Sequence, residues 1–388
     1  MQLALLVVCQ GLAQAGNPIV MATAALVGAM LAPDRAFATV PITAMFVATA
    51  ATTVPAALLM RHLGRANAFR LGSGLGLVGG LVAAHAIVRG DFVQFCVGTA
   101  LQGAFMAFAQ HYRFAAAETA AADRRARAIS YVMLGGIAAA VFGPELAKAT
   151  RTALEPFLFA GCYLAISALA VAHLAMLQFV RLPRARAAVD TGSGRPLGEI
   201  FRQPAAVVAL LGATIGYGTM SLVMTATPLA MVACNHAFDD AAFVIEWHML
   251  GMFAPSFVTG HLIQRYGAVP IIGTGALSSL ACVAIGLSGI SVTHFWAALV
   301  LLGIGWNFML VGGTALLTST YRPEEQAKVQ GVNDFAVFGT VALASLAAGA
   351  LQQLIGWAAV NLGVIAPLGV VVLACLWLAR RPPVAAAA

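Results

Sequence analysis

Residues 3–30 read LALLVVCQGLAQAGNPIVMATAALVGAM, a stretch without one charged side chain. A helix rises about 1.5 Å per residue and the hydrocarbon core of a bilayer is about 30 Å thick, so this stretch is long enough to cross it. Stretches of the same kind recur at about 37–59, 68–88, 92–116, 129–149, 156–180, 203–232, 241–263, 269–290, 294–320, 327–353 and 356–379. They predict about twelve membrane-spanning helices, hence an all-α membrane protein. Composition agrees: 61% of the 388 residues are hydrophobic and 9% are charged, whereas soluble domains carry roughly a quarter charged residues. The 39 glycines suit helices that pack closely without a hydrophobic drive. The first stretch begins almost at Met1 with no basic residue before it, so it reads as a span and not as a removed leader.

The connections are short except at 181–202, RLPRARAAVDTGSGRPLGEIFR, which is rich in Arg, Pro and Gly and lies between spans six and seven. It divides the chain into 1–180, a linker 181–202, and 203–388. With both termini in the cytoplasm, sixteen of the 21 lysines and arginines fall on the cytoplasmic side. That bias predicts the orientation and a multi-pass protein of the bacterial inner membrane. It also accounts for the net charge of +7 without nucleic acid. The six cysteines show no CxxC spacing, which argues against a disulfide framework or structural zinc. No GxxxxGK[ST] motif and no Ser/His/Asp arrangement occurs, so neither an ATP-driven machine nor an enzyme is expected.

Two loops repeat. Ala57-Leu58-Leu59-Met60-Arg61-His62-Leu63-Gly64-Arg65 follows span two, and Gly260-His261-Leu262-Ile263-Gln264-Arg265-Tyr266-Gly267 follows span eight. Both resemble the G-x-L-x-D-R-x-G loop of the major facilitator superfamily, with Arg61 and Gln264 at the acidic position. Gly135-Gly136 and Gly143-Pro144 resemble that superfamily's glycine–proline motif in span five. The resemblance implies the major facilitator fold, two six-helix bundles that rock about a midplane site.

The window 217–252, YGTMSLVMTATPLAMVACNHAFDDAAFVIEWHMLGM, holds five of the 14 methionines. Met220 and Met224 share one helix face, as do His248 and Met252. Both pairs lie roughly 10–18 Å below the outer surface. If spans seven and eight were antiparallel neighbours, one imidazole and three thioethers could converge. Such soft neutral ligands favour Cu(I) over hard cations. The bland alternative is that these methionines fill the core. The paired motifs resemble MxxxM and HxxxM of the CcoA-like copper importers, a branch of the same superfamily. That resemblance implies copper binding by Met220, Met224, His248 and Met252 during import, with Cys234, Met231 and His236 as auxiliary contacts. It implies a role in copper homeostasis and cytochrome oxidase biogenesis, and a cytoplasmic copper chaperone as partner. Copper would be the substrate, with no permanent cofactor.

Arg113, Glu145, Glu246 and Asp334 are the candidates for gating or coupling. Gln10, Gln14 and Asn17 lie on one face of span one, where they either line a path or join helices. Uptake of an organic solute such as riboflavin is the alternative function, with the methionines as a soft apolar wall and Trp306 available for ring stacking. A non-transporting membrane sensor is a third reading, disfavoured because the chain offers no soluble sensory domain.

Overall fold

In the computed structural model, residues 2–112, 115–116, 125–180, 194–322 and 325–381 are described. Most of the interbundle linker and Arg113 lie outside these residues. The spans form α1 (Gln2–Leu31), α2 (Val40–Leu63), α3 (Arg65–Arg89), α4 (Phe92–Ala109), α5 (Arg125–Thr150) and α6 (Ala160–Leu177) in the first half. The second half holds α7 (Pro204–Ala233), α8 (Phe238–Phe253 continued by Ser256–Tyr266), α9 (Ala268–Ser288), α10 (Val292–Thr318), α11 (Gln326–Leu354) and α12 (Trp357–Leu362 continued by Ile365–Ala379). Among the described residues, eleven helices are long and apolar enough to cross a membrane. The remaining long helix, α5, packs along α1.

The halves repeat one packing scheme. In the first, α1 packs on α5, α2 and α3 each pack on α4, and α3 packs on α6. In the second, α7 packs on α11, α8 and α9 each pack on α10, and α9 packs on α12. The two six-helix bundles are thus related by the shift α1→α7 through α6→α12. The principal contacts between them obey the same relation: α2 meets α11 and α5 meets α8. Large apolar side chains such as Val54, Phe142, Leu343 and Leu373 are well exposed. Lipid tails cover such a surface without penalty.

Local chemistry sets the helix ends. Gly90 adopts a left-handed φ of 68° and closes α3, and Asp91 then accepts the amide of Gln94 at 2.9 Å to start α4. Two departures from the predicted spans have visible causes. Residues 156–159 turn instead of extending α6, with Phe159 at φ 68°. α8 breaks at Ala254-Pro255, because proline has no amide hydrogen to continue the ladder.

Glycine decides how near two axes come. A Cβ on Gly135 would stand 2.5 Å from the Val7 carbonyl, and one on Gly303 would stand 2.5 Å from the His248 carbonyl. The first lets α5 lie against α1, and the second lets α10 lie against α8. Several polar residues buried in the first bundle pair with one another. Ser73 Oγ donates to the Phe69 carbonyl at 2.8 Å and so accepts from His173 Nδ1 at 2.8 Å, while Tyr112 donates to His173 Nε2 at 2.5 Å.

The end of the linker is anchored to the second bundle. Glu325, fully buried in the α10–α11 turn, accepts from Arg195 Nε at 2.9 Å, from the Arg195 amide at 2.7 Å and from the Arg322 amide at 2.9 Å. Arg195 donates a second guanidinium bond to Oε2 at 2.8 Å and another to the Thr320 carbonyl at 3.0 Å. The Arg195 guanidinium, helped by the Arg322 amide, holds the Glu325 carboxyl well below the usual carboxylate range.

At the end of the molecule opposite the termini, the halves are clasped. Arg151 pairs with Asp239 at 2.9 Å and lies over the Phe238 ring, and Phe238 meets Phe159 edge-on at 5.1 Å. The Gly349 amide donates to Thr39 Oγ1 at 3.2 Å across the related contact. The ion pair is half exposed, and such pairs contribute about 0.2–1 kcal/mol. Arg151→Glu is therefore expected to lower the closed population at this end about three- to tenfold once the cation–π contact is also lost. Arg151→Asp combined with Asp239→Arg should restore most of it. Distances between spin labels at the exposed positions Thr152 and Ala237 measure the shift.

Candidate functional site

The polar stripe of α1 faces the seam between the bundles. Gln10, Gln14 and Asn17, with Pro18, form one wall of a cleft completed by Gly136 and Ala139 of α5 and by Met249 and Phe253 of α8. The cavity it encloses is about 20 Å³, room for about one water molecule, so the cleft is nearly closed in this conformation. One wall is lined by carboxamides, and the other is apolar. Gln10 is 5% exposed and its Oε1 has no hydrogen-bond partner. Asn17 also borders a second cavity, inside the first bundle, with Gln102, Met45 and Phe105.

Behind the apolar wall stand four rings from four helices of the second bundle. Phe253 of α8 meets Trp306 of α10 at 6.2 Å between centroids and 77° between planes. Trp306 meets Tyr217 of α7 at 5.2 Å and 76°, and Tyr217 meets Phe338 of α11 at 6.1 Å. Edge-to-face pairs of this kind are favourable beyond the area they bury. Trp306 is 7% exposed, and its Nε1 is a donor with no partner.

Asn307 fixes this arrangement from the next position on α10. Its Nδ2 donates to the Met252 carbonyl at 2.7 Å and to Ser256 Oγ at 2.6 Å, and its Oδ1 accepts from Thr259 Oγ1 at 2.7 Å. These groups flank the break in α8, where the helix ladder is interrupted. Asn307 thereby sets the bend of α8 and the placement of Phe253 beside Trp306.

The methionine and histidine candidates lie next to this region but are packed. Met220 and Met224 on α7, and His248 and Met252 on α8, are at most 5% exposed. α7 and α8 each pack along α10 far more than along each other, so α10 takes the place expected for a direct α7–α8 seam. His248 Nδ1 donates to the Leu299 carbonyl of α10 at 2.7 Å, and its Nε2 has no partner. The methionines belong to one continuous apolar cluster with Met231 and Met249. Cys234 closes α7 as a half-buried free thiol, and His236 Nε2 donates to the Ile290 carbonyl at 2.6 Å. Among the described residues no group of three or more His, Cys, Asp or Glu could hold a metal ion.

Of the gating candidates, Glu145 pairs with Lys148 at 2.6 Å on α5. Glu246 on α8 is half-buried near Lys148 and Glu145 of α5, across the seam. Asp334 is exposed near the start of α11 and accepts from Asn333 at 3.2 Å. Tyr217, Phe253, Arg151 and Asp239 did not stand out from the sequence. The aromatic positions stand beside the Met and His motifs, which drew attention away from them, and the ion pair joins residues far apart in the chain.

A family model described as Major Facilitator Superfamily matches residues 3–235 and 210–388. The riboflavin transporter RfnT of Brucella anthropi is 43% identical over 387 residues, 99% of this chain and 96% of its own length. The MFS-type transporter YddS of Bacillus subtilis is 30% identical, over 76% of this chain and 70% of its own length. In three dimensions a crystal structure of the nucleoside transporter NupG superposes with a TM-score of 0.75 at 12% identity, covering 97% of this chain and all of that one. The xylose transporter XylE from E. coli, in a partially occluded inward-open conformation, superposes with a TM-score of 0.72 at 11% identity, covering 98% of this chain and 97% of that one.

The end-to-end similarity to RfnT overturns the expectation of copper import, and with it those of copper homeostasis, cytochrome oxidase biogenesis and a copper chaperone partner. The superfamily resemblance stands, but these relatives lend no support to a CcoA-like branch. The physical reason for the misreading is plain. Four-residue spacing shows that two side chains share a helix face, and methionines on such a face serve a packed interface as readily as a metal.

Proposed function

Because the chain belongs to the Major Facilitator Superfamily, and is thus a multi-pass membrane transporter and not an enzyme, we propose that it takes up an organic solute of the riboflavin type by alternating access. The observation that carries this reading is the ring cluster Phe253–Trp306–Tyr217–Phe338 behind a cleft at the seam of the bundles. A flat aromatic solute entering the opened cleft meets Phe253, backed by the other rings, with carboxamides opposite, at the seam between the bundles where superfamily substrates are handled. The 43% identity to RfnT supports the same substrate class.

In this reading the halves 1–180 and 203–388 rock about the cleft, with 181–202 as the tether. Both termini lie in the cytoplasm of a bacterial inner membrane, and the Arg151–Asp239 clasp closes the outer mouth. Met220, Met224, His248 and Met252 hold α7 and α8 against α10 and form the apolar backing of the path. Glu145, Lys148 and Glu246 face one another across the seam, where opening and closing alters their spacing.

The test is uptake of radiolabelled riboflavin by cells that cannot synthesise it, with and without this protein, alongside copper uptake. Riboflavin accumulation above the empty-vector control with copper at background is the expected result. No riboflavin accumulation, with the protein present in the membrane, removes the reading.

A further inference from the structure

The cleft has two unlike walls, and the difference constrains what part of a solute it can read. Gln10, Gln14 and Asn17 present carboxamides on one side, and Met249 and Phe253 present apolar surface on the other. Gln10 Oε1 is buried and unpartnered, an acceptor waiting for an N–H or O–H. A polyol chain carries hydroxyls all round. Laid in this cleft, it would turn some of them toward Met249 and Phe253 and leave them without partners, which is unfavourable. A flat heteroaromatic ring concentrates its polar atoms in its edge and leaves its faces apolar. Its face fits the Phe253 side and its edge meets the carboxamides.

A primary carboxamide offers an acceptor and a donor side by side. Its complement is an edge in which N–H and C=O are adjacent, as in a cyclic imide. Trp306, whose Nε1 is a buried donor without a partner, backs Phe253 from outside the cleft lining.

Resting on the riboflavin-type reading above, we propose that substrate is selected by the imide edge of a flat heteroaromatic ring, with Gln10 accepting the imide N–H, and not by its polyol tail. Gln10 is then the specificity-determining residue, and Phe253 is the platform for the ring face. The transporter accepts ring systems that keep the imide and lack the polyol, and rejects those whose imide nitrogen is blocked.

The experiment is competition against radiolabelled riboflavin uptake in cells expressing the wild-type protein. The competitors are unlabelled riboflavin, lumiflavin (ring and imide without the polyol), 3-methylriboflavin (imide N–H replaced by N–CH₃) and ribitol. Lumiflavin should compete within about fivefold of riboflavin, 3-methylriboflavin at least about tenfold more weakly, and ribitol not at all. In Gln10→Leu the difference between riboflavin and its 3-methyl derivative should shrink to about twofold or less. Equal competition by 3-methylriboflavin in the wild type, or full discrimination retained by Gln10→Leu, overturns the proposal. If the variant fails to reach the membrane, the wild-type series decides by itself. Absence of riboflavin uptake altogether removes the transport reading and this inference with it. Riboflavin uptake without discrimination against the 3-methyl compound removes this inference alone.

Discussion

Phe253→Ala is expected to raise the KM for riboflavin uptake about ten- to hundredfold. Phe253 is the one residue shared by the cleft lining and the ring cluster, and it is only half-buried, so its removal opens no large void in the core. Stacking of a flat ring on an aromatic side chain contributes about 1–3 kcal/mol, and each 1.4 kcal/mol is a factor of ten. Trp306 behind it loses an edge-to-face partner, which adds to the effect. By contrast Met224→Leu, a volume-conserving change inside the apolar cluster, should leave KM within about twofold. Initial uptake rates against riboflavin concentration, at matched membrane levels, measure both. An unchanged KM in Phe253→Ala would mean that the rings are packing and not platform.

Asn307→Leu should be the most damaging polar substitution in the second bundle. It removes three hydrogen bonds at once and strands the Met252 carbonyl and the Ser256 hydroxyl beside the break in α8, while Thr259 Oγ1 keeps its bond to the Pro255 carbonyl at 2.8 Å. A buried group left unsatisfied costs about 1–3 kcal/mol. Bonds between membrane helices average nearer 0.6 kcal/mol, because the unfolded state in lipid also finds partners. A loss of about 3 kcal/mol follows from weighing the two. Thr259→Val removes one bond of the three and should cost about 1 kcal/mol. The order of thermal inactivation midpoints in detergent, wild type above Thr259→Val above Asn307→Leu, checks the argument. If Asn307→Leu matches wild type, the break in α8 is held by Pro255 alone.

The spans themselves were easy to read. A helix such as α1 must satisfy its backbone within itself, because lipid offers no hydrogen bonds. The requirement is local, and an uncharged run of the right length reveals it. The repeated loops at Ala57–Arg65 and Gly260–Gly267 carried the superfamily resemblance, and a family model now matches both halves. The stripe Gln10, Gln14 and Asn17 could be read as one helix face, since their spacing follows the helical period. The break in α8 was missed although Pro255 marks it. Proline is tolerated inside spans, as Pro18, Pro144 and Pro228 are here, so a single proline does not announce a break.

The candidate site was harder. The window 217–252 borders the proposed site, since Tyr217 joins the ring cluster and Met249 lines the cleft. Spacing within one helix does not tell which of its side chains face a neighbouring helix and which face a cleft. Met220, Met224, His248 and Met252 are buried in the packed interior, His248 bonding to α10, while Phe253, one residue beyond the window, meets the cleft.

The sequence by itself determined the helices, their number, the doubling of the chain and the polar face of α1, because each is a property of one segment in its solvent. Only the tertiary structure decided that α10 packs along both α7 and α8, that α5 meets α8 and α2 meets α11, and that Gln10 and Phe253 border one cleft. In lipid the hydrophobic effect does not separate a bundle-facing leucine from a lipid-facing one, so apolar faces carry no local mark of their partner. That choice falls to close approach at residues such as Gly135 and Gly303 and to polar bridges such as Asn307, which act only once distant segments have come together.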